Sequence, residues 1–221
     1  MGYITFKDHR TGGSWRTDRD LNLICEHPSV GTPTILQRLI SVPGAAAPLD
    51  CTEALGRVTY EQRPFSVNAG KAISNRFVQD SLVKNALHGK LMEITLSEDP
   101  YYYYLGRVSV GEWIRLNGVG HVTISANCDP YKYRQTPTVL SATVPESGTV
   151  ALAVLNDAMP TVPTITASAP VKIIWNGSEY AISAGAAYRN LDIEFGAGAN
   201  ALAISGDAGT TVTIEYQEGS L

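Results

Sequence analysis

The chain has few cysteines, no long apolar run and no concentrated basic segment. Its three cysteines, Cys25, Cys51 and Cys128, form an odd set without a C-x-x-C spacing. This pattern indicates neither a disulfide framework nor a zinc site, so we expect buried free thiols. The longest apolar run, residues 150–155, is far shorter than the roughly 20 residues of a membrane span and fits a strand. We therefore expect no metal or other cofactor and no membrane partner.

Charge is unevenly distributed along the 221 residues. Residues 1–135 contain 15 Lys+Arg and 13 Asp+Glu, whereas residues 136–221 contain 2 and 8. This change predicts two domains, 1–135 and 136–221. Neither part concentrates Lys and Arg as phosphate binding requires, so sequence-specific nucleic-acid recognition is not indicated. Charge at Lys7, Asp8 and Arg10 interrupts any signal-peptide pattern and predicts synthesis and folding in the cytoplasm.

One helix is predicted among many strands. Residues 75–88 form its body, with Ser74 as N-cap and Gly89 at the position that ends a helix. The expected apolar stripe, which would pack on a sheet, consists of Phe77, Val78, Leu82, Ala86 and Leu87. Alternation or apolar content predicts strands over residues 3–6, 21–25, 34–42, 57–67, 91–96 and 119–126.

The second part is predicted to consist entirely of strands and turns. Its clearest feature is a hairpin at Asn176-Gly177, a pair that favours the type I′ turn. A two-residue turn there places Trp175 opposite Ser178, Ile173 opposite Tyr180 and Val171 opposite Ile182, all on one face. Residues 191–195, 201–205 and 211–216 then complete a predicted antiparallel sandwich.

Four consecutive tyrosines, Tyr101, Tyr102, Tyr103 and Tyr104, form a segment that we call the tyrosine run. Successive side chains on a strand point to opposite faces, so two of the four must face away from any single core. Tyrosine offers a large contact area with a polar tip, and a sheet that is aromatic on both faces is typical of a protein that packs against a partner.

No catalytic constellation is present in the sequence. The G-x-G-x-x-A segment at residues 196–201 is followed by a strand rather than by the helix that a dinucleotide site requires, so it predicts a glycine turn. His121 and Cys128 are seven residues apart on one predicted strand and therefore point to opposite faces. The adjacent Glu98 and Asp99 lack the separation of a glycosidase pair. We predict that the chain is not an enzyme.

Several short motifs together resemble the distal tail proteins of long-tailed, non-contractile bacteriophages. They are, in order, Val42-Pro43-Gly44, Leu49-Asp50, Thr52-Glu53, Tyr60 with Arg63, the strand after His88-Gly89-Lys90, Asp99-Pro100 with the tyrosine run, Gly106-Arg107-Val108, Cys128-Asp129-Pro130-Tyr131-Lys132-Tyr133, and Gly198, Asn200 and Leu202. Each motif is weak alone, but their order and spacing over nearly the whole chain make the resemblance specific. One departure is residues 45–48, Ala-Ala-Ala-Pro, where the family usually has a charged turn containing glycine.

The resemblance implies a mainly β fold, with a β-sandwich-like N-terminal belt domain and a C-terminal galectin-like sandwich. It implies a hexameric ring at the tip of the virion tail, between the tail tube protein and a tip or baseplate protein, with receptor-binding proteins as further partners. The candidate assembly interface comprises the tyrosine run and Arg107. The alternative is a carbohydrate-binding module for host-surface adhesion, in which Trp113, Trp175 or the tyrosines stack on sugar rings; fold alone does not decide between the two.

Overall fold

The computed structural model describes residues 2–54, 56–72, 76–116 and 118–221. The chain divides into two compact units, Met1–Lys132 and Tyr133–Leu221. The prediction of a mainly β fold is confirmed, and within the described residues there is one helix. The charge-based boundary at residue 135 lies just inside the second unit, and the roles assigned to the two parts remain predictions.

A twisted antiparallel sheet forms most of the first unit. Its strand order is β2-β1-β8-β9-β11-β7-β3, with β10 beside β11 and β4 beside β7, while β5 and β6 form a separate pair. The elements, ending with β12 at the boundary between the units, are β1 Ile4–Asp8, β2 Ser14–Arg16, β3 Ile24–Cys25, β4 Ser29–Val30, β5 Leu39–Ile40, β6 Leu49–Asp50, β7 Arg63–Ala72, α1 Arg76–Leu87, β8 Leu91–Leu96, β9 Asp99–Val110, β10 Ile114–Leu116, β11 Val119–Cys128 and β12 Lys132–Arg134.

Alternation along β7 and β11 gives this sheet one buried and one solvated face. Inward-pointing residues of the two strands include Phe65, Val67, Val122 and Ile124, and Phe65 packs edge-on against Phe6 of β1 with ring centroids 6.5 Å apart. The residues between them point to solvent, which is the pattern of an antiparallel sheet packed on one side only. His121 is exposed and Cys128 is buried, so the two lie on opposite faces of β11 as predicted.

Helix α1 covers the core through a different face from the one predicted. It ends at Leu87, and Gly89 has the positive φ of a helix terminator, +76°, whereas Ser74 and Asn75 lie outside the described residues. Its buried side chains are Gln79, Val83, Ala86 and Leu87. The predicted stripe is wrong for Phe77, Val78 and Leu82, which are exposed. On this buried face, Gln79 Nε2 donates a hydrogen bond of 3.0 Å to the carbonyl of the buried Leu21.

The second unit contains two antiparallel sheets that share one core. One has the order β13-β19-β15 and the other β14-β18-β16-β17. The core includes Val154, Ile165, Phe195, Ile204 and Ile214. The strands are β13 Thr138–Thr143, β14 Thr149–Asn156, β15 Thr164–Ala167, β16 Val171–Trp175, β17 Ser178–Ile182, β18 Gly198–Gly206, β19 Thr211–Tyr216 and β20 Gly219–Ser220. The galectin-like character predicted for this unit remains a prediction.

The predicted hairpin is confirmed in its register. Trp175 pairs with Ser178, Ile173 with Tyr180 and Val171 with Ile182. Asn176 and Gly177 both have positive φ, 48° and 81°, as a type I′ turn requires.

Four strand predictions are wrong for most of their length. Of residues 21–25 only Ile24–Cys25 forms a strand, and of residues 57–67 only 63–67 does, as the start of β7. Residues 191–195 form turns, and only Phe195 makes an isolated bridge, to Thr161. Of residues 34–42, only Leu39–Ile40 forms a strand, paired with Leu49–Asp50 away from the main sheet.

Candidate assembly surface

The tyrosine run lies in an irregular part of the β8–β9 hairpin. Leu96 pairs with Asp99 and Ile94 pairs with Tyr104, so Thr95 alone spans the stretch opposite Pro100 and the first three tyrosines. β9 therefore carries extra residues that the ladder with β8 cannot absorb, which is a large β-bulge. Because a bulge breaks the simple alternation of faces, each tyrosine has its own environment.

Tyr101 is the most exposed tyrosine of the run, with 75% of its surface accessible. Tyr102 is half-buried and lies under Lys132, whose Nζ is 4.4 Å from the ring centroid. The same Nζ donates to Asp99 Oδ2 at 2.7 Å. Burial opposes the charged form of Lys132, but the hydrogen bond and the charge of Asp99, together with Tyr104 and Tyr102, outweigh burial and raise the pKa of Lys132. Tyr102, Lys132 and Asp99 thus form a fixed polar cluster beside a free aromatic ring.

Tyr103 and Tyr104 are integrated into the unit. Tyr103 is half-buried, and burial together with the carboxylates of Glu93 and Asp129 raises its pKa to about 12. Tyr104 is 8% exposed and belongs to the core, where the guanidinium carbon of the buried Arg63 lies 5.4 Å from its ring centroid. Tyr104 is therefore unavailable to a partner in this conformation.

Arg107 is exposed, but its guanidinium has a structural contact. Nη1 donates a bond of 2.6 Å to the carbonyl of Gly89, just after helix α1. A cation at the C-terminal end of a helix is favourable, because the last carbonyls there lack partners within the helix. Because Tyr104 is buried and Arg107 is bound to the Gly89 carbonyl, the five predicted interface residues do not all present a free surface.

A projecting hairpin that sequence reasoning did not single out provides a larger apolar surface. We call residues 34–61 the arm. Its base is closed by the Ile35–Tyr60 bridge and by the hydrogen bond from Glu61 N to Thr34 O, 2.8 Å long. Tyr60 also packs edge-on against Tyr131, with ring centroids 5.9 Å apart. Beyond this base, β5 pairs with β6, and no other strand in the described ranges pairs with either of them.

The arm exposes apolar side chains that have no core of their own. They are Ile35, Leu36, Leu39, Ile40, Val42 and Leu49, of which Ile40 is 53% and Leu49 57% exposed. Ile40 and Leu49 pair directly across β5 and β6 and so lie on the same face of the hairpin. Contiguous exposed apolar surface of this kind marks interaction sites.

The signal for the arm was present in the sequence. Val42, Pro43 and Gly44 lie in its tip, Leu49 and Asp50 form β6, and Tyr60 stands at its base. The motifs between residues 42 and 60 that carry the family resemblance therefore map onto a segment with little role in the core.

The tryptophans named in the alternative hypothesis are both buried. Trp113 is in the core of the first unit, and Trp175 is 6% exposed in the second, where its ring centroid lies 5.5 Å from that of Phe195. Neither ring can stack on a sugar in this conformation. Within the described residues, no three His, Cys, Asp or Glu side chains converge on a possible metal position, and no helix has the length and apolar content to cross a membrane.

No protein-family model matches the sequence. No curated protein matches it either. Among solved structures, the chain is similar to the Dit protein (gp 19.1) of phage SPP1, described as a paradigm of the hub adsorption apparatus in phages that infect Gram-positive bacteria. The similarity covers 100% of both chains, with a TM-score of 0.65 and 14% sequence identity. The predicted resemblance to distal tail proteins is thus confirmed in the fold.

Proposed function

We propose that this chain is a distal tail protein of a long-tailed, non-contractile phage or prophage. Six copies form a ring at the end of the tail tube, which the ring joins to the tip or baseplate proteins that adhere to the host. The observation that carries this proposal is the similarity of fold to a phage hub protein over the full length of both chains. The protein is then a structural part of the virion.

The arm supplies the contact that a ring needs. A ring closes when one surface of each copy binds a different surface of the next, so a projecting arm that reaches a neighbour suits cyclic symmetry. Burying the exposed part of one Leu or Ile contributes about 1 kcal/mol. Ile40 and Leu49, which share a face, therefore supply on the order of 2 kcal/mol, and each further exposed apolar side chain that a neighbour covers adds about as much again, before the entropic cost of association.

Only some of the tyrosine run and Arg107 remain candidates for an assembly contact in this proposal. Tyr101 and the Lys132–Tyr102 cluster remain candidates for contact with a neighbour or with the next tail protein, because they present aromatic and charged groups at the surface. Tyr104 serves the core, and Arg107 first stabilises the end of α1.

The test is the mass of the full-length protein in solution, measured by size exclusion with light scattering. We expect a particle six times the 23.7 kDa chain mass. The variant Ile40→Asp/Leu49→Asp places two carboxylates on the apolar face of the arm and should shift the protein to monomer. Leu191→Asp is the matched control, because Leu191 is 81% exposed but lies in the second unit.

Two outcomes separate the parts of the proposal. A wild-type protein that remains monomeric at tens of micromolar would contradict the ring. A ring that survives Ile40→Asp/Leu49→Asp would leave the ring in place and exclude the arm as its contact.

A further inference from the structure

Strand β14 is the longest edge strand of the second unit and has none of the usual protection. It runs over eight residues, Thr-Val-Ala-Leu-Ala-Val-Leu-Asn, without a charge, a proline or a glycine. Natural edges are normally kept short, charged or covered, because free backbone groups attract another strand. The opposite edge of the same sheet, β17, is shorter and carries Glu179, and β15 is covered by two 2.8 Å backbone bonds with Tyr188.

The open backbone groups of β14 can be located by alternation. Val150, Leu152, Val154 and Asn156 point inward with their side chains, whereas Thr149, Ala151, Ala153 and Leu155 are exposed. The Leu155 carbonyl accepts a hydrogen bond from the Tyr216 hydroxyl, and the Thr149 carbonyl accepts one from Ser147 Oγ at 3.4 Å. These two carbonyls therefore point away from β18.

Ala151 and Ala153 share this direction, because alternate residues of a strand present their N–H and C=O to the same side. In the part of the chain that the structure describes, no strand pairs with this side of β14. The two ends of the edge are thus satisfied by side chains, while its centre is open and carries only methyl groups. Ala151 and Ala153 therefore add no bulky side chain that would block an approaching strand.

Charge indicates which strand would fit. Glu146, in the turn that Gly148 N closes onto the Pro145 carbonyl before β14, and Asp157, the residue after β14, are both exposed. In an antiparallel pair of two β14 strands, Glu146 of one copy would lie near Asp157 of the other, and like charges across strands destabilise a pair. The edge therefore disfavours a second copy and favours a segment with basic ends.

We propose that β14 is a docking edge for an extended segment of another protein, which adds to the sheet as a further strand. The segment carries uncharged small or β-branched residues opposite Ala151 and Ala153 and Lys or Arg opposite Glu146 and Asp157. Its backbone hydrogen bonds supply the binding energy, as in other strand additions, and the flanking charges select the partner. The site lies in the second unit, so this proposal can be tested independently of ring formation.

The probe is a fluorescein-labelled peptide, Lys-Lys-Thr-Val-Thr-Val-Thr-Val-Lys-Lys, titrated with full-length protein and followed by fluorescence anisotropy. A second peptide has Glu in place of all four Lys. We expect saturable binding of the Lys peptide and at least tenfold weaker binding of the Glu peptide. Ala153→Pro removes one outward N–H without removing a bond to β18, and it should weaken binding at least tenfold. Ala153→Ser keeps that N–H and should bind like wild type.

The double variant Glu146→Lys/Asp157→Lys should reverse the preference between the two peptides. This double variant changes only exposed side chains. It therefore tests peptide binding at β14 even if circular dichroism shows that Ala153→Pro does not fold. Three results would overturn the proposal: no saturable binding of the Lys peptide, equal binding by wild type and a folded Ala153→Pro, or a smaller particle mass for Ala153→Pro. The last would mean that a second copy occupies the edge.

Discussion

Replacing Trp175 by alanine should destabilise the second unit selectively. Trp175 ends strand β16, is 6% exposed, and begins an aromatic chain in which Phe195 lies 5.5 Å away and Tyr216 lies 5.4 Å beyond Phe195. Removing a buried tryptophan leaves a cavity and costs about 3 to 5 kcal/mol. For a domain of this size, each kcal/mol lowers the melting temperature by about 4 to 8 °C, so we expect a decrease of about 12 °C or more.

The measurement is differential scanning calorimetry of the full-length protein with and without Trp175→Ala. The transition of the second unit should move and that of the first should not, because Trp175 belongs only to the core of the second unit. Leu191→Ala is the control, since a side chain that is 81% exposed has little packing to lose. A shift below about 4 °C, the effect of roughly 1 kcal/mol, would refute the packing argument. Such a small shift would also make Trp175 a candidate again for stacking on a sugar ring.

Three further predictions concern the first unit. Gly106→Ala should lower the stability of this unit by about 1 to 3 kcal/mol through overpacking, because a Cβ there would lie 2.6 Å from Cys128 Sγ and 2.9 Å from the Asn127 carbonyl. Chemical denaturation measures the loss, with Gly196→Ala as the control because no atom lies within 4 Å of a Cβ there. Equal stabilities of the two variants would contradict the prediction. Iodoacetamide at pH 8 should leave Cys128 unmodified, because burial raises the pKa of its thiol to about 12. On the arm, Cys51 should react more slowly in the ring than in the monomeric arm variant; equal rates in mass spectrometry would argue against a buried arm.

Features that depend on neighbouring residues in the chain were predictable. The Asn176-Gly177 hairpin has a two-residue turn whose backbone requirement fixes the register, and both flanking strands alternate in agreement with it. Nothing distant had to be known. Alternation also predicted that the four tyrosines cannot all face one core, but the bulge in β9 decides that Tyr104 is buried and Tyr101 exposed, and the sequence did not show the bulge.

Features that depend on tertiary partners were not predictable. The apolar stripe of α1 suggested that Phe77 and Leu82 face the core, but the buried face contains Val83, Ala86 and Leu87 together with Gln79, which donates to the Leu21 carbonyl. Sequence shows the apolar residues of a helix, not the buried acceptor that its polar residue satisfies.

The arm and residues 191–195 illustrate the same limit for strands. Alternation indicates an apolar face without saying whether the same chain or another molecule covers it. The sequence therefore did not show that the apolar face of the arm is exposed. Ile193 and Phe195 are buried in alternation, as in a strand, yet they lie in turns with a single bridge. Burial pattern alone does not require a ladder.

The bulge in β9 gives this hairpin freedom in length. The pairings on either side of it, Leu96 with Asp99 and Ile94 with Tyr104, anchor the hairpin independently of the residues between them. Insertions or deletions within residues 100–103 would enlarge or shrink the bulge without shifting Val108 and Val110 off the core face. The surface that this segment presents can therefore diversify during evolution while the sheet beneath it keeps its register.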